Sequence, residues 1–204
     1  MRKLNYNTAV DLALQGHGFE RKKSAWRRIS GPYIDIFEVQ ISSNLRELTI
    51  NIDIVDKLTF EIYTGNETDI WTHFYYVFTS MRLGSLVDLR DRWWSRSDPE
   101  TPGKILEAVR NLGMPYVENA HSLDFLHSQF QRQVNRPWSG AHDYVFMAIT
   151  RARMGRIEEA LDLLKDPPLK NIYTDEMLEP IRHRIRQEGR RQSLKMPDES
   201  GSGN

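Results

Sequence analysis

The sequence has no cysteine, no charge excess of either sign and no long apolar run. The absence of cysteine among 204 residues excludes disulfides, zinc–thiolate sites and thiol catalysis. The 28 basic and 28 acidic residues give a formal net charge of zero, which argues against a dedicated nucleic-acid binder, since such proteins carry a basic excess. No segment approaches the roughly 18 apolar residues of a membrane span, and no signal-peptide pattern begins the chain. We therefore predict a cytoplasmic protein that does not associate with membranes.

Catalytic and cofactor-binding signatures are also missing from the sequence. There is no Gly-x-Ser-x-Gly elbow, phosphate loop or dinucleotide fingerprint, so serine hydrolase, nucleotide hydrolase and dehydrogenase functions have no support. The six histidines show no metal-binding spacing; they are His17, His73, His121, His127, His142 and His183. We predict a non-enzymatic protein with no cofactor and no metal.

The N-terminal half has the patterning of one helix followed by strands. The periodicity predicts a helix from Leu4 to Gln15 and strands over 19–30, 33–42 and 48–54. In the second strand the apolar alternation shifts by one residue, which indicates either a β-bulge or burial of both faces. Aromatic and β-branched residues after Trp71 favour a fourth strand ending near Asp88. Short links between these strands predict an antiparallel meander.

Helical periodicity replaces this pattern after Trp94. We predict helices over 102–111, 122–134, 141–154, 156–164 and 174–191. The predicted fold class is α+β, with an N-terminal helix, an antiparallel sheet of about four strands and a C-terminal helical half packed on one face. The predicted organisation is an α+β domain over 1–134, a helical extension over 135–192 packed on it, and a disordered tail over 193–204.

Several short motifs occur in a distinctive order. They are Gly18-Phe19, the basic run from Arg21 to Arg28, Gln40-Ile41-Ser42, Asn51, the segment 81–86, Trp93-Trp94 and the turn 112–116. Over about residues 1–134 this order resembles the bacterial domain of unknown function 4304 family. The resemblance implies no established activity and no catalytic residues.

A second motif lies near 141–164. Gly155-Arg-Ile-Glu-Glu-Ala160-Leu resembles the Gly-to-Ala spacing of a single tetratricopeptide hairpin. A generic helix pair with a tight turn is the alternative, since a solenoid needs about three or more repeats.

The segment from Asp88 to Arg96 is the leading candidate for partner binding. Tryptophan and arginine dominate binding hot spots, because rings bury much area and guanidinium groups form directional bonds. The candidate residues here are Asp88, Arg90, Asp91, Arg92, Trp93, Trp94 and Arg96. The alternative for the two tryptophans is packing at a junction between sheet and helices.

Two basic clusters provide further candidate contacts. On the first strand, alternation would place Arg21, Lys23 and Arg27 on one side and Lys22 and Arg28 on the other, so no single dense basic face results. The first three are the candidates for a secondary contact surface. The alternative is an edge strand protected by its charge. The other cluster lies on the last helix and consists of Arg182, Arg184, Arg186, Arg190 and Arg191.

The sequence supports three functional hypotheses. The first is a protein-binding protein, in its specific form an immunity protein that neutralises a cognate bacterial toxin by direct binding. The alternative is a metal-dependent nuclease or other nucleic-acid-processing enzyme, with Glu38, Gln40 and Asp53 on adjacent strands. That alternative requires Glu38 and Asp53 to converge in one cleft. The third is a scaffold that uses the helix pair at 141–164 as a docking groove.

Overall fold

A computed structural model describes residues 4–71, 79–135, 141–165 and 172–195. The first element is helix α1, Tyr6–Leu14. It begins where the Asn5 side chain accepts a hydrogen bond from the Thr8 backbone N–H at 2.9 Å, which satisfies one of the free donors of the first turn. Its apolar stripe, Ala9, Val10, Ala13 and Leu14, is buried, so α1 packs as an amphipathic helix.

An antiparallel sheet follows α1. Across the described residues it has six strands: β1 Glu20–Lys22, β2 Ala25–Ser30, β3 Tyr33–Ile41, β4 Glu47–Asp56, β5 Thr79–Arg82 and β6 Trp94–Ser95. They pair in the order β1-β2-β3-β4-β5, and β6 pairs with β4 as well. The predicted strand 19–30 is two strands, because Lys23 adopts a left-handed φ of 58° and the chain reverses there.

Strands β3 and β4 form the centre of the sheet. Their register runs without interruption from Tyr33 opposite Asp56 to Ile41 opposite Leu48, so the shift in apolar pattern is not a bulge. Every residue from 33 to 37 is buried. Burial of both faces, the second of the two explanations, therefore accounts for the pattern.

The chain after β5 differs from the sequence prediction. The predicted strand residues 72–78 lie outside the described residues, β5 ends at Arg82, and α3, Leu83–Asp88, begins immediately. The extended pattern was wrong for 83–88, since Leu83 and Gly84 are buried as helical residues against neighbouring backbone. Tertiary contact has overridden local strand preference here.

Helices cover one face of this sheet. They are α1 and a continuous helical run made of α4 Thr101–Ala108, a π-helical segment Val109–Gly113 and α5 Met114–Asn119. A side chain at Gly113 would come within 2.9 Å of the Phe37 ring. Arg110 donates to the Leu12 carbonyl oxygen at 2.8 Å. Glycine at 113 therefore lets the π-helical segment lie directly on the sheet.

The described chain divides into two compact units. The first comprises residues up to 57 together with 69–122, and the second comprises 58–68 together with residues from 123 onward. The helices of the second are α2 Lys57–Thr64, α6 Leu123–Val134, α7 Ala141–Arg153, α8 Ile157–Leu163 and α9 Asp175–Lys195. Helix α9 continues through Lys195, and residues 196–204 of the predicted tail lie outside the described residues.

The α+β class is confirmed, with an N-terminal helix, an open antiparallel sheet and a helical C-terminal half. In the described part of the chain, none of the helices has both the length and the apolar character needed to cross a bilayer.

Candidate functional site

The segment Asp88–Arg96, termed the Arg/Trp loop, projects from one edge of β4. The chain leaves that edge at Arg82, opposite Asn51, and returns at Trp94, opposite Leu48. Between these points it forms α3 and most of the loop. Gly84 fixes the return path, because a side chain at this position would lie 2.1 Å from the Arg92 carbonyl oxygen. The sheet and α3 therefore hold both ends of the loop.

Leu89 lies at the start of the Arg/Trp loop, directly after α3. It has a left-handed φ of 59° at the C-terminal end of α3, and it is 94% exposed. Left-handed backbone is unfavourable for leucine, and a fully exposed leucine contributes nothing to a hydrophobic core. The left-handed conformation ends α3, as is common at helix C-termini, and leaves the leucine side chain in solvent.

Ionic and aromatic contacts order the sides of the loop. Arg82 forms an ion pair with Asp91, and its guanidinium carbon lies 5.2 Å from the Trp93 ring centroid. Arg92 and Asp88 form a longer pair at 3.5 Å. Arg82 lies before α3, and no local pattern marked it as a candidate; its role follows from strand pairing alone.

The C-terminal end of the loop is attached to the sheet. Trp94 is only 5% exposed and belongs to β6, so it supports the loop from within, as the packing alternative predicted for at least one tryptophan. Arg96 donates to the Leu45 carbonyl oxygen at 2.6 Å and lies 5.9 Å from the Tyr6 ring. The surface that remains for contact consists of Leu89 and the polar residues around it.

The basic residues of the predicted first strand, 19–30, are not arranged as alternation along one strand predicts. Because the chain reverses at Lys23, Arg21 pairs with Trp26 and Lys22 with Ala25, which puts Arg21 and Arg27 on opposite faces of the sheet. Exposed Lys23 occupies the turn itself. The predicted common side for these three residues is therefore wrong.

The individual basic residues have local partners. Arg21 forms an ion pair with Asp11 of α1 at 2.7 Å. Arg27 is half-buried, donates to the Ile70 carbonyl oxygen at 3.1 Å and lies 5.2 Å from the Trp71 ring. Burial lowers the pKa of the Arg27 guanidinium, against the opposing charges of nearby carboxylates. These contacts stabilise the edge of the sheet.

The arginines of α9 are similarly engaged. Arg182 pairs with Asp175 at 3.0 Å, and Arg186 pairs with Glu179 at the same distance. Arg184 donates to the carbonyl oxygens of Ile62 and Tyr63 at the end of α2. Three members of this cluster therefore serve contacts within the second unit, and the run is not an open basic surface.

Glu38, Gln40 and Asp53 lie together on the face of the sheet opposite Phe37. Glu38 pairs with Asn51, and Asp53 pairs with Ile36 two positions away, so both carboxylates have the same orientation. The Asn51 side-chain amide donates to the Gln40 amide oxygen at 3.1 Å. The two carboxylates therefore lie on the same face of the sheet.

Asp53 is the most perturbed acid of this face. It is 8% exposed. Burial raises the pKa of its carboxyl group to about 6, a hydrogen bond from Ser80 acts against that rise, and the Glu38 charge adds to it. Its Oδ1 atom has no hydrogen-bond partner. Among the described residues, no three His, Cys, Asp or Glu side chains come together in a group that could hold a metal ion.

Two histidines occupy aromatic clusters. His121 forms a 2.6 Å contact with Asp35 and stacks on Tyr33 with ring centroids 4.7 Å apart. In the second unit, His142 Nδ1 contacts the hydroxyl groups of Tyr63, at 3.1 Å, and Tyr173. Burial lowers the pKa of His142, with the Asp143 charge opposing. Each cluster joins different elements of its own unit.

The first unit defines an α+β protein built on an open antiparallel sheet, with helices over one face and an ordered loop at the β4 edge. The chain belongs to the family described as Domain of unknown function (DUF4304), whose model matches residues 10–118. This confirms the family resemblance found in the sequence. Neither the curated proteins nor the solved structures include a match to this chain.

Proposed function

We propose that this protein binds another protein through the Arg/Trp loop and has no enzymatic role. In its specific form the proposal is a bacterial cytoplasmic immunity protein that occludes the active site of a cognate toxin. The observation that carries it is Leu89, which is 94% exposed in a left-handed conformation directly after α3, in a loop held at both ends. The left-handed backbone of a leucine costs conformational energy, and burial of its exposed side chain by a partner would be favourable.

The ordered sides of the loop support this proposal. Arg82 contacts both Asp91 and the Trp93 ring, so fewer side-chain rotamers have to be fixed when a partner binds. Pre-ordering of this kind improves affinity by reducing the entropy lost on association. The mixed charges around Leu89 match the polar rim that surrounds an apolar centre in many interfaces.

The test is direct binding to the purified product of the adjacent gene, measured by titration calorimetry. Leu89→Asp should weaken this binding by about tenfold or more, as expected for an apolar residue at the centre of an interface. Leu194→Asp is the matched control, since Leu194 is 86% exposed and lies on α9; it should leave the affinity unchanged. Co-expression should also rescue cells from that product. Absence of both binding and rescue would refute the immunity hypothesis.

A metal-dependent nuclease is the second candidate, and the shared face of Glu38 and Asp53 favours it. Two carboxylates on neighbouring strands can bind Mg²⁺ beside a scissile phosphate. The test is cleavage of plasmid DNA with Mg²⁺ by the wild type and by Glu38→Gln. If the wild type cleaves DNA and Glu38→Gln does not, the nuclease candidate is favoured over the binding hypothesis. Equal cleavage by the two proteins would exclude Glu38 as a catalytic residue.

A further inference from the structure

A cavity of about 410 Å³ opens beside the Arg/Trp loop. Its apolar wall comes from α3, β6, α4 and the π-helical segment, and consists of Val87, Trp94, Ala108 and Leu112. Arg92, Lys104 and Glu107 add polar groups. The volume falls within the range of roughly 300–1,000 Å³ for ligand pockets, which are largely apolar with a few polar groups.

The cavity adjoins an irregular part of the helical run. Leu112 belongs to the π-helical segment Val109–Gly113 and keeps 36% of its surface exposed. Short π-helical segments are uncommon and occur often at functional sites. An exposed leucine beside an apolar cavity is unfavourable in the free protein, and burial by an apolar group would remove that cost.

The two cations at the cavity differ in their availability. Lys104 is engaged by Asp98 at 3.1 Å and by Glu100 at 2.9 Å. Among the described residues, the Arg92 side chain has one ionic contact, at 3.5 Å with Asp88, and both of those side chains are 43% exposed. Exposed pairs at such distances contribute little. Arg92 can therefore exchange this contact for a better placed carboxylate.

We infer that this cavity receives one large apolar side chain of the protein partner, and that Arg92 binds an acidic residue next to it in the partner's sequence. The inference rests on the proposed protein-binding function and specifies its partner. Arg92 and Trp94 belong to the Arg/Trp loop and also line the cavity, so a partner that binds the loop through Arg92 reaches the cavity. The apolar side chain supplies burial, and the guanidinium–carboxylate pair supplies direction.

A random-peptide phage library is the probe, panned on the full chain. We expect enriched peptides with Leu, Met or Phe beside Asp or Glu. Synthetic versions should shift the Trp94 indole N–H resonance. Ala108→Leu fills the cavity with a good helix former and should weaken peptide binding by about tenfold. Asn119→Leu, an exposed position outside the cavity, is the matched control and should bind as the wild type does.

The charge is tested with a second pair of variants. Arg92→Gln should weaken binding of the same peptides by about two- to fivefold, as for an exposed ion pair, whereas Arg132→Gln, at an exposed position on α6, should have no effect. Thermal unfolding of each variant checks that it is folded. Failure to enrich such peptides, or equal binding to wild type and Ala108→Leu, overturns the inference.

The outcomes separate this inference from the proposed function. Peptides that lose affinity with Leu89→Asp but not with Ala108→Leu would leave the loop as a binding surface and remove the cavity from it. Peptides that require the cavity, combined with no binding of the adjacent gene product, would support the cavity inference and refute the immunity hypothesis alone.

Discussion

Replacing Asp53 with asparagine tests whether a buried charge lowers the stability of this fold. The substitution keeps the size of the side chain and removes its titration. Asparagine can still accept a hydrogen bond from Ser80, so the main loss is the attraction between Asp53 and Arg27. We expect Asp53→Asn to be more stable than the wild type at neutral and alkaline pH.

The magnitude follows from the pKa of Asp53. Burial raises this pKa from its ordinary 3.8 to about 6, and each pKa unit corresponds to about 1.4 kcal/mol, so the charged carboxylate costs about 3 kcal/mol. This pKa already includes the opposing attraction of Arg27, and we expect Asp53→Asn to gain roughly 1–3 kcal/mol at about pH 8.

The sign of the pH dependence is fixed by the direction of the shift. The pKa of Asp53 is higher in the folded state than in the unfolded state. Between pH 3.8 and about 6, the folded state therefore holds the proton of Asp53 more strongly than the unfolded state does. The contribution of Asp53 to stability is therefore complete below 3.8 and is lost as the pH rises through about 6. The advantage of Asp53→Asn should appear across the same interval.

Urea unfolding of the wild type and of Asp53→Asn, at several pH values between about 4 and 8, measures the difference in their free energies of unfolding. Titrations that the two proteins share cancel in this difference. Asp162→Asn, at a side chain 71% exposed on α8, provides the baseline. A stability difference between Asp53→Asn and the wild type that does not change with pH, or that declines as pH rises, would refute the reasoning.

Two further predictions concern the second unit and the helix α4. Gly65→Ala should destabilise the protein by about 1–3 kcal/mol in urea unfolding, because Gly65 has a φ of 78° and a side chain there would lie 2.9 Å from Arg184 Nη1. Gly103→Ala in α4 meets nothing within 4 Å and should stabilise by about 0.5–1 kcal/mol; equal effects of the two would contradict this account. Burial lowers the pKa of His142 below its ordinary 6.5, so its contribution to stability is present above 6.5 and is lost as the pH falls. His142→Gln should reduce the loss of stability on acidification, and an unchanged pH profile would show that His142 does not contribute.

Local sequence patterns were sufficient to predict the central strands and most helices. Strand β4 shows why: leucine and isoleucine alternate from Leu48 to Ile54, and this period of two is a direct consequence of strand geometry. The α1 region was predicted in the same way, from helical spacing that ends near two glycines with positive φ. These elements were predictable because the determining residues lie within a few positions of each other.

The tertiary structure alone decided which residues form the candidate site. The sequence predicted partner binding at Asp88–Arg96. It could not show that Trp94 is buried in β6 or that Leu89 is exposed directly after α3. Strand pairing brings Arg82 to Asp91 and carries Arg27 to Ile70, 43 positions away. Exposure, partners and the perturbed pKa of Asp53 depend on such long-range packing, which a local pattern does not encode. The sequence by itself determined the central strands and most helices, because their patterns are local. The packing between them decided the structure of 83–88 and which side chains remain available to bind.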